Sequence, residues 1–368
     1  MLVIASSGHS TMLDIFSFII TFAIALSSTL LLMPICDWLG RRWGMTSKAG
    51  GRRTTEGDYR RVSKLGGLGL ALGFVGAALA AQFLPVPRFD PNEVVRLTGL
   101  VAGTLFLAAA GILDDKFELK ALPQFLVQFT AAGIAVAFQI FIEYFTNPLT
   151  GQQTDPWSPV VTVTLTVFWL VTTMNTVNFL DGLDGLAGGV AFIAGVVLFV
   201  NSVFILGQTS VGLLHLALMG SALGFVLFNF YPARIFMGSG AVTLGYILGA
   251  LAIIGGAKMA TILFVIALPL LDAVWQAAHR LLRGTSPFRG DRGHLHFRLL
   301  DMGFTQRQIV GFYYVFCAFF GVLTLIVESQ LFKLVALMVM MGLVVAGFFL
   351  VERLQKRQIA RETGSSNL

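Results

Sequence analysis

The sequence predicts an all-α, polytopic integral membrane protein of about eleven transmembrane helices, with its N-terminus outside and its C-terminus inside. Three observations carry this prediction. Hydrophobic residues make up 56% of the 368 residues and charged residues 12%, about half the roughly 25% of an ordinary soluble domain. Apolar runs recur along the chain at lengths near the roughly 20 residues that a helix needs to cross a bilayer. Those runs are continuously apolar rather than alternating, which points to helices and not to a β-barrel.

The first run, Ile15–Ile35, contains no charged residue. After it come Leu65–Leu84, Leu97–Leu113, Pro123–Ile142, Val160–Met174, Leu186–Leu206, Val211–Phe230 and Ala241–Ile254. Met259–Leu282, Ile309–Val327 and Phe332–Val351 complete the set, and several members are short or polar at one end. The 40 glycines suit helices that pack closely in lipid. With Met1 outside, 21 of the 25 Lys and Arg fall on segments facing the inside. Only Arg88, Arg96, Lys258 and Lys333 fall on the other side, a strong positive-inside pattern. The same distribution accounts for the net charge of +6, so no nucleic-acid partner is needed. The chain reads as one transmembrane domain, 1–368, with short cytoplasmic loops at 36–64, 114–122, 175–185, 231–240 and 283–308 and a tail at 352–368. The opening MLVIASSGHSTMLD lacks a basic n-region and an obvious cleavage site, so the first span is expected to be retained. Cys36 and Cys317 are far apart and form no disulfide or zinc pattern.

The polar residues gather on the inside segments. Asp114-Asp115 stands at a predicted helix C-terminus, the negative end of the dipole, so the pair calls for a cation. Lys116, Lys120 or a bound metal would serve, and a solvated helix end with lysine partners is the plainer reading. In Asn175-Thr-Val-Asn178-Phe-Leu-Asp181-Gly-Leu-Asp184-Gly, Asn or Asp recurs every third residue. Steps of three drift around a helix, so Gly182 and Gly185 are expected to break it and bring the oxygens together. Oxygen ligands of this kind suit magnesium with a phosphate; the alternative is a polar turn. In Asn229-Phe-Tyr-Pro-Ala-Arg-Ile-Phe236-Met-Gly-Ser-Gly240 an exposed aromatic with an amide neighbour suits a flat base, or else an interfacial aromatic belt. Arg289-Gly-Asp291-Arg-Gly-His294-Leu-His296-Phe-Arg298 combines arginines suited to phosphate with histidines that exchange protons near neutral pH. An HxH pair also suits zinc, but no Cys or third His is near; a generic basic loop is the plain alternative. Lys64, with Arg60 and Arg61, holds phosphate or fixes topology. Asp272 lies inside the ninth run, where a carboxylate is a functional candidate unless Gln276 or His279 pairs with it.

Together these clusters resemble the polyprenyl-phosphate N-acetylhexosamine-1-phosphate transferase family, glycosyltransferase family 4. The resemblance runs from about Lys64 to Phe304 and rests on GILDDKFELKALPQFLVQ, NTVNFLDGLDGLAGG, NFYPARIFMG and DRGHLHFRLLDMGF in that order. HLHFRLLDMGF resembles the branch that uses undecaprenyl phosphate and UDP-N-acetylglucosamine. The muramoyl-pentapeptide branch usually carries consecutive histidines there, and this chain has none.

The resemblance implies transfer of a sugar-1-phosphate from a UDP-sugar to a polyprenyl phosphate with release of UMP, for cell-envelope polysaccharide synthesis. It implies catalytic roles for Asp114, Asp115, Asp181, Asp184, His294 and His296, and substrate binding by Lys64, Asn178, Asn229, Phe236 and Arg298. It implies Mg2+, with Mn2+ as a substitute, on Asn178, Asp181 and Asp184. The expected partners are the UDP-sugar, the polyprenyl phosphate, membrane lipid and a second copy of the chain in a homodimer. The expected location is the bacterial inner membrane, with the active site on the cytoplasmic face. Two departures stand out. The family commonly reads FMGD, an aspartate that serves there as a magnesium ligand, whereas Phe236-Met237-Gly238 runs here into Ser239-Gly240, as if that residue were deleted. Phe297 stands where the related branch often has histidine. A silent homologue that only binds lipid or nucleotide, and a secondary transporter built on broken helices, are the competing classes.

Overall fold

In lipid a backbone must satisfy its own N–H and C=O groups, so each apolar run becomes a helix. The computed structural model describes residues 2–47, 61–144, 147, 149–256, 259–282, 284, 293–327 and 329–365. Among them the chain is helical throughout, with isolated bridges in place of strands. The helices are α1 (Leu2–Arg42), α2 (Gly66–Ala80), α3 (Glu93–Phe117), α4 (Ala121–Ala137), α5 (Pro159–Leu180) and α6 (Leu186–Val200). They continue as α7 (Thr209–Asn229), α8 (Gly240–Ile254), α9 (Met259–Leu282), α10 (Leu295–Asp301), α11 (Gln306–Ile326) and α12 (Gln330–Ser365).

Each of the eleven predicted runs coincides with an apolar helix. Nine are long enough to cross a membrane, and α4 and α8 are shorter. Several boundaries differ from the sequence reading: α5 continues through Leu180, so Asn175 and Asn178 lie on a helix and not in the expected 175–185 loop, and α4 ends at Ala137, short of Ile142. The first helix continues through Arg42, past the expected loop start at 36, because Arg41 Nε bonds both oxygens of Asp37 one turn earlier at 3.0 and 2.9 Å. The last helix continues through Ser365, so the expected tail is helical. The seven-residue α10 interrupts the expected 283–308 loop, too short to register in a membrane-length apolar window.

The eighth helix lies inside the bundle, which is why 15 residues suffice for it. Tyr246 on it donates to Gly99 O of α3 at 3.0 Å, and Trp169 Nε1 of α5 donates to Gly249 O at 3.0 Å. Glycine lets its neighbours come close: a Cβ on Gly67 would lie 2.4 Å from Gly240 Cα, and one on Gly245 would lie 2.6 Å from Met174 Cα. Nearly every residue of α8 is buried. The described residues of the connections α1–α2, α3–α4, α5–α6, α7–α8 and α9–α10 meet at one end of the bundle. Thr46 bridges Ser63, Ser63 bridges Ile235, and Asp115 bonds Ser239. The expected polar clusters therefore share one face, and the site is built there.

Candidate active site

The acidic pair is held by a reversal of the chain. The third helix ends when Glu118 turns left-handed at φ 52°, its N–H reaching Asp114 O at 2.7 Å. The turn brings Leu119 N–H to Asp114 Oδ1 at 2.9 Å and Gln124 Nε2 to the two Asp114 oxygens at 3.1 and 3.2 Å. On the other side, Ser239 N–H donates to both oxygens of Asp115 at 3.1 and 3.2 Å. Its Oγ lies 2.6 Å from Asp114 Oδ2 and 3.1 Å from Asp115 Oδ1. With one hydrogen, that hydroxyl donates to one carboxylate at a time. Gly238 adopts φ +61°, and a Cβ there would fall 2.2 Å from Lys64 O and 2.6 Å from Asp115 Oδ2. Only glycine allows so close an approach with that backbone. Lys64 is the basic group whose charge acts on Asp115. Lys116, expected as a partner for the pair, instead stands over the Phe117 ring at 5.6 Å.

A cavity of about 80 Å³ opens beside Asp114. Its polar wall is Asp114, Ser239, Gln124, Gln128 and Asn178, and Leu107 and Val127 contribute an apolar wall. Asn178 is exposed on the last turn of α5. Asn175 is spent on packing, its Nδ2 donating to Gln128 Oε1 at 2.6 Å and to Val171 O at 2.8 Å.

The rest of the Asn–Asp motif serves a second task. Asp181 ends α5 and Gly185, at φ +82°, starts α6. Asp184 is fully buried and its Oδ2 accepts the Ala233 N–H at 3.0 Å. Asn229 is equally buried: Oδ1 accepts from Gly185 N–H at 2.9 Å, and Nδ2 donates to Ile235 O at 2.8 Å. The Tyr314 hydroxyl donates to Gly185 O at 2.5 Å. Asp184 and Asn229 thus lace the 181–185 turn to the 230–236 segment. Phe236, expected as an exposed stacking face, is buried with Val62 and Ala233. Its N–H donates to Ser63 O at 2.8 Å, and its O accepts from Gly66 N–H at 2.9 Å. The ring is a wall element because the 61–65 segment covers it.

The histidines close over the same turn. Arg289, Asp291 and Arg292 lie outside the described residues. A Cβ on Gly182 would meet His296 Nε2 at 2.1 Å, so glycine makes room for that ring. His294 stacks on Phe179 at 5.3 Å and on His296 at 5.7 Å. Arg298 Nε donates to Gly293 O at 2.6 Å. Asp272 pairs with His294 at 2.9 Å; Gln276 donates instead to Gly293 O.

No three His, Cys, Asp or Glu side chains gather as a metal-holding group among the described residues. Of the expected magnesium residues, Asn178 lines the acidic-pair cavity, Asp181 ends α5, and Asp184 accepts the Ala233 N–H. The donor set that fits a hard cation is Asp114 with Asp115. Magnesium is commonly held by one or two carboxylates and completes its shell with water and substrate phosphate.

Gln124, Gln128 and Ser239 escaped the sequence reading as members of this cavity. Gln124 stands too far along the chain from Asp114 for any helical period to link them, and only the left-handed Glu118 joins them. The FMG-Ser departure was the one available signal for Ser239.

Comparison with known proteins shows the family of the chain. The model of glycosyl transferase family 4 matches residues 97–256. A probable undecaprenyl-phosphate N-acetylglucosaminyl 1-phosphate transferase of Bacillus subtilis (strain 168) is 27% identical over 84% of this chain and 85% of its own. A decaprenyl-phosphate N-acetylglucosaminephosphotransferase of Mycolicibacterium smegmatis is 31% identical over 70% of each chain. A phospho-N-acetylmuramoyl-pentapeptide-transferase of Desulforudis audaxviator is 29% identical over 79% of this chain and 92% of its own. With the acidic pair, the Asn–Asp turn and the histidine segment on one face of an all-helical membrane bundle, the chain belongs to glycosyl transferase family 4, the polyprenyl-phosphate N-acetylhexosamine-1-phosphate transferases.

Proposed function

We propose that this chain transfers N-acetylglucosamine-1-phosphate, or a related N-acetylhexosamine-1-phosphate, from a UDP-sugar to undecaprenyl phosphate on the cytoplasmic face of a bacterial inner membrane. The observation that carries the reading is the cavity in which Asp114, Ser239, Gln124 and Asn178 face an apolar wall of Leu107 and Val127. Such a lining sets polar groups for a metal-bound headgroup beside apolar side chains for the start of a lipid chain. A lipid-phosphate oxygen attacks the β-phosphorus of the nucleotide sugar. The bond from that phosphorus to the bridging oxygen breaks, and UMP leaves with the oxygen. The lipid phosphate has a second pKa near 6, so little proton remains to be removed. Repulsion between two anions is the barrier, and Lys64, Arg298 and the histidines are the groups that offset it. Asp114 and Asp115 would hold Mg2+, or Mn2+ in its place, which supplies charge neutralisation at the diphosphate. Gln124 and Leu119 N–H fix the Asp114 carboxylate in orientation. Asp184 and Asn229 hold the turn that carries Asp181, and Phe236 packs under the 61–65 segment behind that turn.

The test is UMP release by purified protein with magnesium, undecaprenyl phosphate and a panel of UDP-sugars. UDP-N-acetylglucosamine is expected to be the best donor. Asp115→Asn is expected to lower the rate roughly 100-fold or more, the usual cost of losing one transition-state charge partner. A preference for UDP-muramoyl-pentapeptide would move the chain to the peptidoglycan branch. UDP-sugar binding without any UMP release would make it a silent homologue, the reading that deletion of the family's FMGD aspartate favours.

A further inference from the structure

Asp272 is a buried carboxylate within α9, and both of its oxygens are committed to one short stretch of chain. Oδ2 lies 2.9 Å from His294 Nδ1. Oδ1 accepts the Leu295 N–H at 2.9 Å. His294 is the N-cap residue of α10, yet its own side chain makes no capping bond; Asp272 reaches in from another helix. A carboxylate that accepts on both oxygens makes Nδ1 the donor. The proton is thereby placed on the nitrogen that faces Asp272. Nε2, across the ring, is left for another partner. The ring is held flat between Phe179, at 5.3 Å and 28°, and His296, at 5.7 Å and 6°. Phe179 directly follows Asn178, which lines the cavity.

We propose that Asp272 is a positioning residue for the transfer: it holds the Nδ1 proton of His294, fixes the ring plane against Phe179, and leaves Nε2 as the nitrogen that meets the diphosphate. In its catalytic part this rests on the transfer reaction proposed above. A carboxylate behind a histidine sets tautomer and orientation without touching the substrate, and reversing that tautomer has large kinetic consequences elsewhere.

The discriminating variant is Asp272→Asn. Its amide oxygen can still accept from Leu295 N–H, which preserves the α10 cap, while its NH2 group donates toward His294 Nδ1. The ring must then carry its proton on Nε2. Two measurements read this. Imidazole 15N shifts of histidine-labelled protein, with His294 assigned by its loss in His294→Gln, should show Nδ1 protonated in the wild type and unprotonated in Asp272→Asn. In the transfer assay, kcat should fall by roughly two to four orders of magnitude, with KM for the UDP-sugar within about twofold of wild type. A wild-type His294 with bare Nδ1 overturns the proposal without any variant. So does a wild-type kcat in an Asp272→Asn protein whose tautomer has reversed. An equal rise in KM with unchanged kcat would overturn it too, because that is loss of uniform binding. The 15N measurement needs no turnover: if the wild type transfers nothing, the proposed reaction fails while the positioning of His294 by Asp272 is still decided.

Discussion

Ser239 puts a neutral hydroxyl between two carboxylates, 2.6 Å from one and 3.1 Å from the other. The family resemblance implies an aspartate after FMG, so with Gly238 running directly into Ser239 the proposed cation site would be one negative charge short. Inserting Asp between Gly238 and Ser239 would push Gly240 off its contact with Gly67, where the backbones already touch. Ser239→Asp keeps the register and is the cleaner test. It should lower the magnesium concentration for half-maximal UMP release, because a carboxylate is a better ligand for this cation than a hydroxyl. Without metal the variant should melt at lower temperature than wild type, three like charges being crowded together, and magnesium should restore it. Equal half-saturation in the two proteins would place the metal elsewhere, with Asp181 and Asp184 first to examine. At this scale the sequence spoke through neighbours. Asp114-Asp115 was legible because adjacent carboxylates need a partner. Gln124 and Ser239 were not, since only a turn and a distant loop bring them to the pair. Pro232 before Phe236 and two glycines after it suggest exposure; its burial comes from Val62, which no local pattern connects to it.

The elements that set the site are α2 and α8, crossing at Gly67 and Gly240. A side chain at either would meet backbone rather than a flexible side chain, so the helices themselves must move. Gly67→Ala is expected to cost about 1–3 kcal/mol, the usual range for overpacking. It should also lower activity by drawing Ser239, at the start of α8, away from the acidic pair. Gly76→Ala on the same helix is the control, since a Cβ there meets open space. Thermal unfolding in detergent compares them; equal stability of Gly67→Ala and Gly76→Ala would mean the α2–α8 contact is looser than 2.4 Å implies. The helices themselves were readable from apolar length, since lipid demands it. The extension of α1 to Arg42 and the short α10 were not, because a helix end held by an Asp37–Arg41 pair and a cap supplied by Asp272 leave no trace in apolarity.

Across the whole molecule, five connections converge on one end and carry nearly all the chemistry, which disfavours a transporter. Transport sites of broken helices sit near the bilayer midplane, whereas this cavity lies at the C-terminus of α3 and the N-terminus of α8. That gathering is legible as charge: the alternation of basic loops puts the same segments on one side. It also predicts an orientation, because Lys and Arg in short loops stay inside. Cysteine labelling tests it. The two native cysteines are buried, Cys36 at 2% and Cys317 at 0% exposure, so they add little background. Cysteine placed at exposed Lys120 or at Gly293 should react with an impermeant maleimide only after cells are opened. Cysteine at Leu149, 77% exposed and on the opposite end, should react in intact spheroplasts. Labelling of positions 120 and 293 from opposite sides would separate the acidic pair from the histidine segment by a membrane. A lipid phosphate could then not reach both, and the single-face site would be lost. The same side for both, with 149 opposite, is what a substrate drawn from the inner leaflet and a nucleotide drawn from the cytosol require of one reaction centre.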